Sequence, residues 1–305
     1  MTGRITGLAC AACALAVATG SVQAMPLQMR DTGPAMGARQ SNTYHGPGVG
    51  ALRGGQLERG GQAGASESTT AAVPAAAPAW MVEQEVMSVR DGGTEFVVRI
   101  ENVSPADAMR YSDGSSDGAA FSHVAYAVHD AGWPIFEPGE ATLPASGLEQ
   151  LAEDGNVRPI QANLEQHADV VESGIVYRPV GDDKDNELWP GHVYEFHLTA
   201  DAGENLSFAA MLIQSNDVVV GPKDGYLPLF DSNGRPMSGD VTDRIAFFDA
   251  GTEVNEDPKF GPNVGVNQKW LNAGETETKP VRAPDDGFAW PAPAKVLKVT
   301  IQPVG

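Results

Sequence analysis

The chain is organised around the stretch Leu206-Ser-Phe-Ala-Ala-Met-Leu-Ile-Gln214, an almost unbroken apolar run that ends at Ser215-Asn216-Asp217. A second apolar run, Arg244-Ile-Ala-Phe-Phe248, leads into Asp249-Ala-Gly-Thr-Glu253-Val-Asn255-Glu256. Each has the pattern of a buried β-strand that emerges into a turn of oxygen-bearing side chains. Two such strands can hold carboxylates side by side at one edge of a sheet. Ca²⁺ prefers this arrangement, since it takes about 6–8 oxygen ligands.

Short β-like segments recur on both sides of this stretch. Their apolar residues alternate or form short runs, and Gly, Pro, Asp or Asn residues separate them: 95–103, 121–128, 170–180, 193–199 and 295–302. The segment 206–214 is apolar on both faces, which predicts a central position in its sheet. Many short strands at this spacing predict an all-β antiparallel sandwich.

Two segments break the β pattern. Residues 146–155 and 158–168 carry apolar residues at helical spacing. Pro159 in the first turn of the second segment and Gly155 at the end of the first are typical helix boundaries. The sequence therefore predicts two short helices, as minor insertions at one end or side of the sandwich.

The first 24 residues have the pattern of a secretory signal peptide. A basic start at Arg4 precedes an apolar run over residues 5–18, and small residues lead to a cleavage site after Ala24. The apolar run is too short for a membrane anchor. Both cysteines of the chain, Cys10 and Cys13, lie inside this segment. We therefore expect an exported protein, periplasmic or secreted, whose mature form lacks cysteine.

The composition changes near residue 80. Residues 25–80 are rich in Gly, Ala and Pro and hold few large apolar side chains, which is typical of a disordered linker. Residues 81–305 carry all of the β-like segments. The predicted organisation is a signal peptide (1–24), a linker (25–80) and one sandwich domain (81–305).

The charge balance excludes two classes of partner. The chain has 20 basic and 40 acidic residues and a formal charge of −20. Residues 1–80 hold five of the basic and three of the acidic residues, so the predicted domain carries nearly all of the acidity. A surface this negative repels nucleic acid and anionic lipid, and it suits a soluble protein that binds cations.

The acidic turns are the candidate functional site. Asp217 ends one strand, and Asp249 and Glu253 open the turn after another, with Gly251 between them free to fold the backbone back. Two carboxylates and a carbonyl could then meet one ion. In so acidic a chain these residues could equally be solvated loop acids, and spacing alone leaves both interpretations open.

Motifs for catalysis are absent from the sequence. There is no Gly-x-Ser-x-Gly elbow, Walker loop or Ser-x-x-Lys motif, which indicates a protein that is not an enzyme. Glu153-Asp154, at a predicted helix end, fits solvated helix-end acids better than an acid–base pair. Four tryptophans lie in Gly- and Pro-rich turns, where they plug the ends of a sandwich or grip a sugar or a partner: Trp133, Trp189, Trp270 and Trp290.

A series of motifs over residues 93–275 resembles the spondin N-terminal domain family, most closely its bacterial exported members. The motifs are His129-Asp130, Leu148-Glu-Gln-Leu-Ala-Glu-Asp-Gly155, Phe208-Ala-Ala-Met-Leu-Ile-Gln-Ser-Asn-Asp217, Phe230-Asp-Ser-Asn-Gly234, Ser238-Gly-Asp-Val-Thr242 and Phe248-Asp-Ala-Gly-Thr-Glu-Val-Asn-Glu256. The same domain occurs in F-spondin and mindin. The resemblance implies a C2-like β-sandwich with a Ca²⁺ site that serves adhesion and ligand binding without known catalysis.

Carried over by motif, the implied metal ligands are Asp217, Asp249 and Glu253, with Asn216 and Asn255 as further candidates. The animal members usually have Asp at the position of Glu253. The expected function is a calcium-binding, non-catalytic binding or adhesion module whose partner is an unidentified extracellular or envelope protein or glycan. Two alternatives stay open: a metal-assisted hydrolase that uses the same carboxylates, and a purely structural envelope protein.

Overall fold

A computed structural model describes residues 92–305 of the chain. The predicted signal peptide (1–24) and linker (25–80) lie outside the described residues, as do the first residues of the predicted domain. Within the described part no helix is long and apolar enough to cross a membrane.

The described chain contains twelve strands, three short α-helices and a 3₁₀-helix (Thr242–Arg244). The strands are β1 (Thr94–Asn102), β2 (Met109–Arg110), β3 (Ser116–Asp117), β4 (Val124–His129), β5 (Val170–Val176), β6 (Val193–Ala200), β7 (Asn205–Met211), β8 (Val218–Pro222), β9 (Leu227–Pro228), β10 (Gly239–Asp240), β11 (Ile245–Asp249) and β12 (Leu297–Pro303). The helices are α1 (Leu148–Asp154), α2 (Arg158–Leu164) and α3 (Pro293–Val296).

Two antiparallel sheets form the body of the domain. The smaller has the strand order β10-β12-β1-β6, and the larger has the order β11-β8-β7-β4-β5 with β9 paired to β7. The strands β2 and β3 form a separate hairpin. The predicted all-β antiparallel architecture with minor helical insertions is thereby confirmed.

The two sheets pack face to face around an apolar core. Phe96 and Phe196 of the smaller sheet and Phe208 of the larger are almost fully buried in one cluster. The ring of Tyr126 in β4 stacks on that of Phe196 in β6, with centroids 4.4 Å apart. Because apolar burial contributes roughly 25 cal/mol per Å², this interface is the main source of stability.

A second apolar layer covers the outer face of the larger sheet. Ala125 and Ala127 of β4 and Ala209 of β7 are fully buried against α1 and α2, which contribute Leu151 and Ile160. Small alanine side chains let the helices approach the strands closely. This layer explains why β7 is apolar on both faces, and the strand is central, as predicted.

The structure contains strands that the sequence did not predict, namely β8 and the two-residue strands β2, β3, β9 and β10. The strand β8 begins directly after Asp217, although the sequence indicated only an acidic turn at this point. The last strand begins at Leu297 rather than Lys295, because Pro293 opens a helical turn that includes Lys295 and Val296. The predicted helices are both present and slightly shorter than expected.

Candidate metal centre

Antiparallel pairing brings the two acidic turns to the same edge of the larger sheet. Asp249, the last residue of β11, pairs with Val218, the first residue of β8. Asp217 directly precedes that strand, and its carbonyl accepts a hydrogen bond of 3.0 Å from the N–H of Ala250. Because β8 and β11 are antiparallel, the residue before the start of β8, Asp217, lies beside the residue at the end of β11, Asp249.

A tight turn between β7 and β8 sets the position of Asp217. The N–H of Leu212 donates to the carbonyl of Val218 at 2.8 Å. The hydroxyl of Ser215 donates to the carbonyl of Leu212 at 2.7 Å and accepts from the N–H of Val218 at 3.0 Å. These bonds close the turn on itself and hold the Asp217 side chain, which is fully buried, toward the turn that follows β11.

The turn after β11 wraps around the Asp217 carboxyl group. The backbone N–H groups of Thr252 and Glu253 both lie 3.3 Å from Oδ2 of Asp217. Gly251 lets the backbone turn here: its φ is +69°, and a Cβ at this position would lie 2.3 Å from the carbonyl oxygen of Lys279. The glycine between the acids has the role that the sequence analysis expected.

The segment 274–277 closes over Glu253. The N–H of Val254 donates to Glu275 O at 2.7 Å, and the N–H of Glu277 donates to Thr252 O at 2.9 Å. At the start of the same segment, a Cβ on Gly274 would lie only 1.0 Å from Oε1 of Glu253. The Glu253 carboxyl group thus occupies space that any other residue at position 274 would fill.

Asp249 is held by three donors. Its Oδ1 accepts from the N–H of Gly251 at 2.7 Å, and its Oδ2 accepts from the side chains of Asn255 at 2.8 Å and Arg282 at 2.7 Å. Arg282 also contacts Glu277 at 3.1 Å. A carboxylate has about four acceptor positions, so Asp249 retains one for a further partner.

The two candidate asparagines lie in the same cluster. Asn216 donates to Oε2 of Glu253 at 3.3 Å and to the carbonyl of Val254 at 2.9 Å. Its own Oδ1 accepts from the N–H of Glu256 at 3.2 Å, which uses one of the two acceptor positions of this oxygen. Asn255 uses its amide nitrogen on Asp249, and its Oδ1 remains buried without a donor.

Four buried side-chain oxygen atoms of the cluster have no hydrogen-bond partner. They are Oδ1 of Asp217, Oε1 of Glu253, Oδ1 of Asn255 and Oγ1 of Thr252. The side chains of Asp217 and Glu253 are 0% and 3% exposed, so water does not solvate them freely. Among residues 92–305, however, no three Asp, Glu, His or Cys side chains form a preformed metal-binding group. The acidic side chains of the cluster are therefore close together without converging on a single point.

The electrostatics of the cluster oppose full ionisation. Burial raises the pKa of Asp217 well above its ordinary value, and the charges of Asp249 and Glu253 add to the shift. Burial also raises the pKa of Glu253 to about 7, against the hydrogen bond from Asn216. Burial also raises the pKa of Asp249 above its ordinary value, although its bonds to Asn255 and Arg282 act in the opposite direction. The site therefore favours a bound proton or cation.

Sequence reasoning missed two members of the cluster. Glu153, which it assigned to a solvated helix end, is only 3% exposed, and burial together with the Glu253 charge raises its pKa to about 7, against the Thr252 hydroxyl. That assignment is wrong because α1 packs its C-terminal turn against the acidic edge. Arg282 lies far along the chain in an irregular segment, and no motif there marked it as the partner of Asp249.

Comparison with models of known protein families gives no match, and no curated protein matches the chain significantly.

Proposed function

We propose that the domain is an exported, calcium-binding, non-catalytic binding module of the spondin type, with a C2-like sandwich. Asp217 and Glu253 supply the main carboxylate ligands, and Asp249 adds its remaining acceptor position. The side-chain carbonyl oxygen of Asn255 is the last protein ligand, and water would occupy the remaining coordination positions of the ion. The ion would lock the turn after β11 against the segment 274–277.

The proposal is supported most directly by the donor-free oxygens of Asp217 and Glu253. A buried acceptor without a donor costs about 1–3 kcal/mol, and more when it is charged. Two such atoms on neighbouring carboxyl groups are explained together by one cation between them. A proton on each carboxyl group is the competing explanation, and the two can be separated by titration with the ion.

The local charge balance also supports a cation. Four carboxyl groups are almost fully buried at this edge, on Asp217, Asp249, Glu253 and Glu153. Arg282 is the cation in direct contact with one of them, and it is shared with Glu277. Buried charge without a partner is strongly unfavourable, so ionised carboxylates in this place need a further positive charge.

The donor chemistry favours Ca²⁺ over other metals. The donor-free atoms of the cluster are carboxylate, amide and hydroxyl oxygens, which suit hard cations rather than zinc or copper. Mg²⁺ demands near-ideal octahedral geometry, whereas Ca²⁺ accepts irregular sets of 6–8 oxygens such as two turns provide. The role in adhesion or ligand binding rests on the family resemblance of the motifs around the site.

The test is thermal unfolding of the purified protein with Ca²⁺ and with a chelator. At a concentration of about 100 times Kd, one site adds roughly 2.7 kcal/mol, which corresponds to roughly 5–10 °C for a domain of this size. Asp217→Asn should abolish this shift, while Glu165→Gln, at the exposed residue that follows α2, should preserve it. Equal melting temperatures in both conditions for the wild type would reject the proposal.

Asp217→Asn has a second expected effect that separates ion binding from general damage. Without Ca²⁺ the substitution removes a buried carboxyl group whose ionisation is unfavourable. Its melting temperature at neutral pH should therefore equal or exceed that of the ion-free wild type. A lower value would mean that the carboxylate itself stabilises the fold.

A further inference from the structure

A loop beside the acidic edge presents large apolar side chains to solvent. Residues 266–272 form this loop, which we call the Trp270 loop. Trp270 and Leu271 are 69% and 64% exposed, and Val266 is 55% exposed. Large apolar groups in this number on one short segment are a signature of an interaction surface.

Hydrogen bonds on both sides of Trp270 hold the loop in place. The side chain of Gln268 donates to Oδ1 of Asp154 at 3.0 Å, and the N–H of Asn272 donates to the same atom at 3.2 Å. Asn272 also donates from its side chain to Glu149 at 3.2 Å. The residues that flank Trp270 and Leu271 are thus fastened to α1, while the apolar pair itself points outward.

The first half of the loop is anchored to the chain that precedes it. The side chain of Asn267 donates to the carbonyls of Lys259 and Gly261 at 2.6 and 2.9 Å. The N–H of Gln268 donates to the carbonyl of the fully buried Val264 at 3.1 Å. Because the loop is held before binding, a partner would meet it with little loss of conformational entropy.

We propose that the Trp270 loop is the docking surface for a polypeptide partner that carries basic side chains around an apolar pocket. Trp270 and Leu271 fill the pocket, and the carboxylates around them pair with the basic rim. Tryptophan is one of the residue types enriched among binding hot spots. The inference rests on the proposed function as a binding module, but it does not require the ion.

The charge around the Trp270 loop favours a basic polypeptide over other partners that could bind an apolar surface. Asp154 and Glu149 lie under the loop, Glu275 follows it, and Lys269 is the one basic side chain within it. A second copy of the chain or an anionic lipid surface would bring like charge toward a protein whose formal charge is −20. A basic polypeptide gains from the same field.

The experiment uses the full mature protein and labelled synthetic peptides, with fluorescence anisotropy at physiological salt. The probe is an amphipathic peptide of Leu and Arg. One control peptide replaces every Leu by Ser, and another replaces every Arg by Glu. The wild type should bind the Leu/Arg peptide at least about tenfold more tightly than either control, a difference of about 1.4 kcal/mol.

Matched variants assign the binding to the loop. Trp270→Ser and Leu271→Ser should each raise the Kd about tenfold, since both are hot-spot candidates. Leu143→Ser, at a leucine that is 71% exposed elsewhere, should leave the Kd unchanged. Asp154→Ala keeps the apolar pair but removes its anchor, and it should weaken binding by a smaller factor.

The inference is overturned by no binding of the Leu/Arg peptide at about 1 mM, by equal binding of either control peptide, or by a Kd that Trp270→Ser leaves unchanged. Anisotropy changes that instead require vesicles or self-association would also overturn it. The calcium-induced melting shift, measured on the same variants, keeps this test separate from the proposed ion site. Trp270→Ser should retain that shift, and Asp217→Asn should retain peptide binding in the presence of a chelator.

Discussion

The carboxyl group of Asp217 holds the backbone of Glu253, which lies 36 residues further along the chain. Its Oδ2 is 3.3 Å from the Glu253 N–H, while its Oδ1 is buried without a donor. One side chain therefore both positions the second turn and offers an oxygen beside it. The order of the turn and the chemistry of the site depend on the same group.

Gly274→Ala should destabilise the protein, by about 2–3 kcal/mol, because the new Cβ overlaps the Glu253 carboxyl group. The measurement is equilibrium unfolding in urea. In a Glu253→Ala background the obstructing group is gone, so the same substitution should cost less than about 1 kcal/mol. Equal costs in both backgrounds would show that the contact does not limit position 274.

The stability of the ion-free protein should fall as the pH rises from 5 to 8. The pKa of Glu153 and of Glu253 is raised to about 7 from an ordinary value of 4.5, so the folded state binds more protons than the unfolded state between these values. Such groups stabilise the fold fully below pH 4.5 and lose that contribution as the pH passes 7.

We expect a loss of about 2–5 kcal/mol over this pH range in chelator, measured by urea unfolding at each pH, since each of the two carboxyl groups contributes up to about 2.5 kcal/mol. Saturating Ca²⁺ should reduce the slope, since the ion replaces the protons that are lost. Glu153→Gln should also reduce it, because the amide does not titrate. A stability that rises with pH in chelator would contradict the assigned direction of the pKa shifts.

Arg282→Ala should destabilise the ion-free protein by about 2 kcal/mol, because it leaves the buried Asp249 carboxylate without its cation. The guanidinium is partly exposed, so the cost is smaller than for a fully buried pair. Arg178→Ala is the matched control: both partners of the Arg178–Asp185 pair are solvent-accessible, and the change should be about 0–1 kcal/mol. Similar losses for the two variants would mean that Asp249 is well solvated.

Leu151→Ala tests the second apolar layer. Leu151 is fully buried between α1 and the larger sheet, so its truncation should cost about 2–5 kcal/mol through lost burial and a cavity. Leu143→Ala, at an exposed position, should change the stability by no more than about 0.5 kcal/mol. If Leu151→Ala were equally mild, the helices would not be a cooperative part of the fold.

Local periodicity was sufficient to predict most of the fold. The alternation in residues 193–199 and the apolar run at 206–214 correspond to β6 and β7, and both predicted helices are present. These features depend on which faces of a short segment are buried, and a segment records this in its own residues. The strand β8 was missed because its Val-Val-Val run follows the β7 turn too closely to be separated by pattern alone.

The candidate site was predicted only in part. Asp217, Asp249 and Glu253 were chosen because they end apolar runs, and the structure places them at one edge of the larger sheet. Their role as metal ligands stays a prediction. Glu153 and Arg282 were out of reach of sequence reasoning, since one is buried by helix packing and the other arrives from an irregular segment.

The sequence by itself determined the β-rich architecture, the acidic character and the residues that end its two central apolar runs, because these are properties of neighbouring residues. Only the tertiary structure decided that Val218 pairs with Asp249, that Gly274 makes room for Glu253 and that Arg282 contacts Asp249. Those relationships join residues about 20 to 40 positions apart. They arise from strand register and chain closure, which depend on the burial of the whole sheet rather than on any one segment.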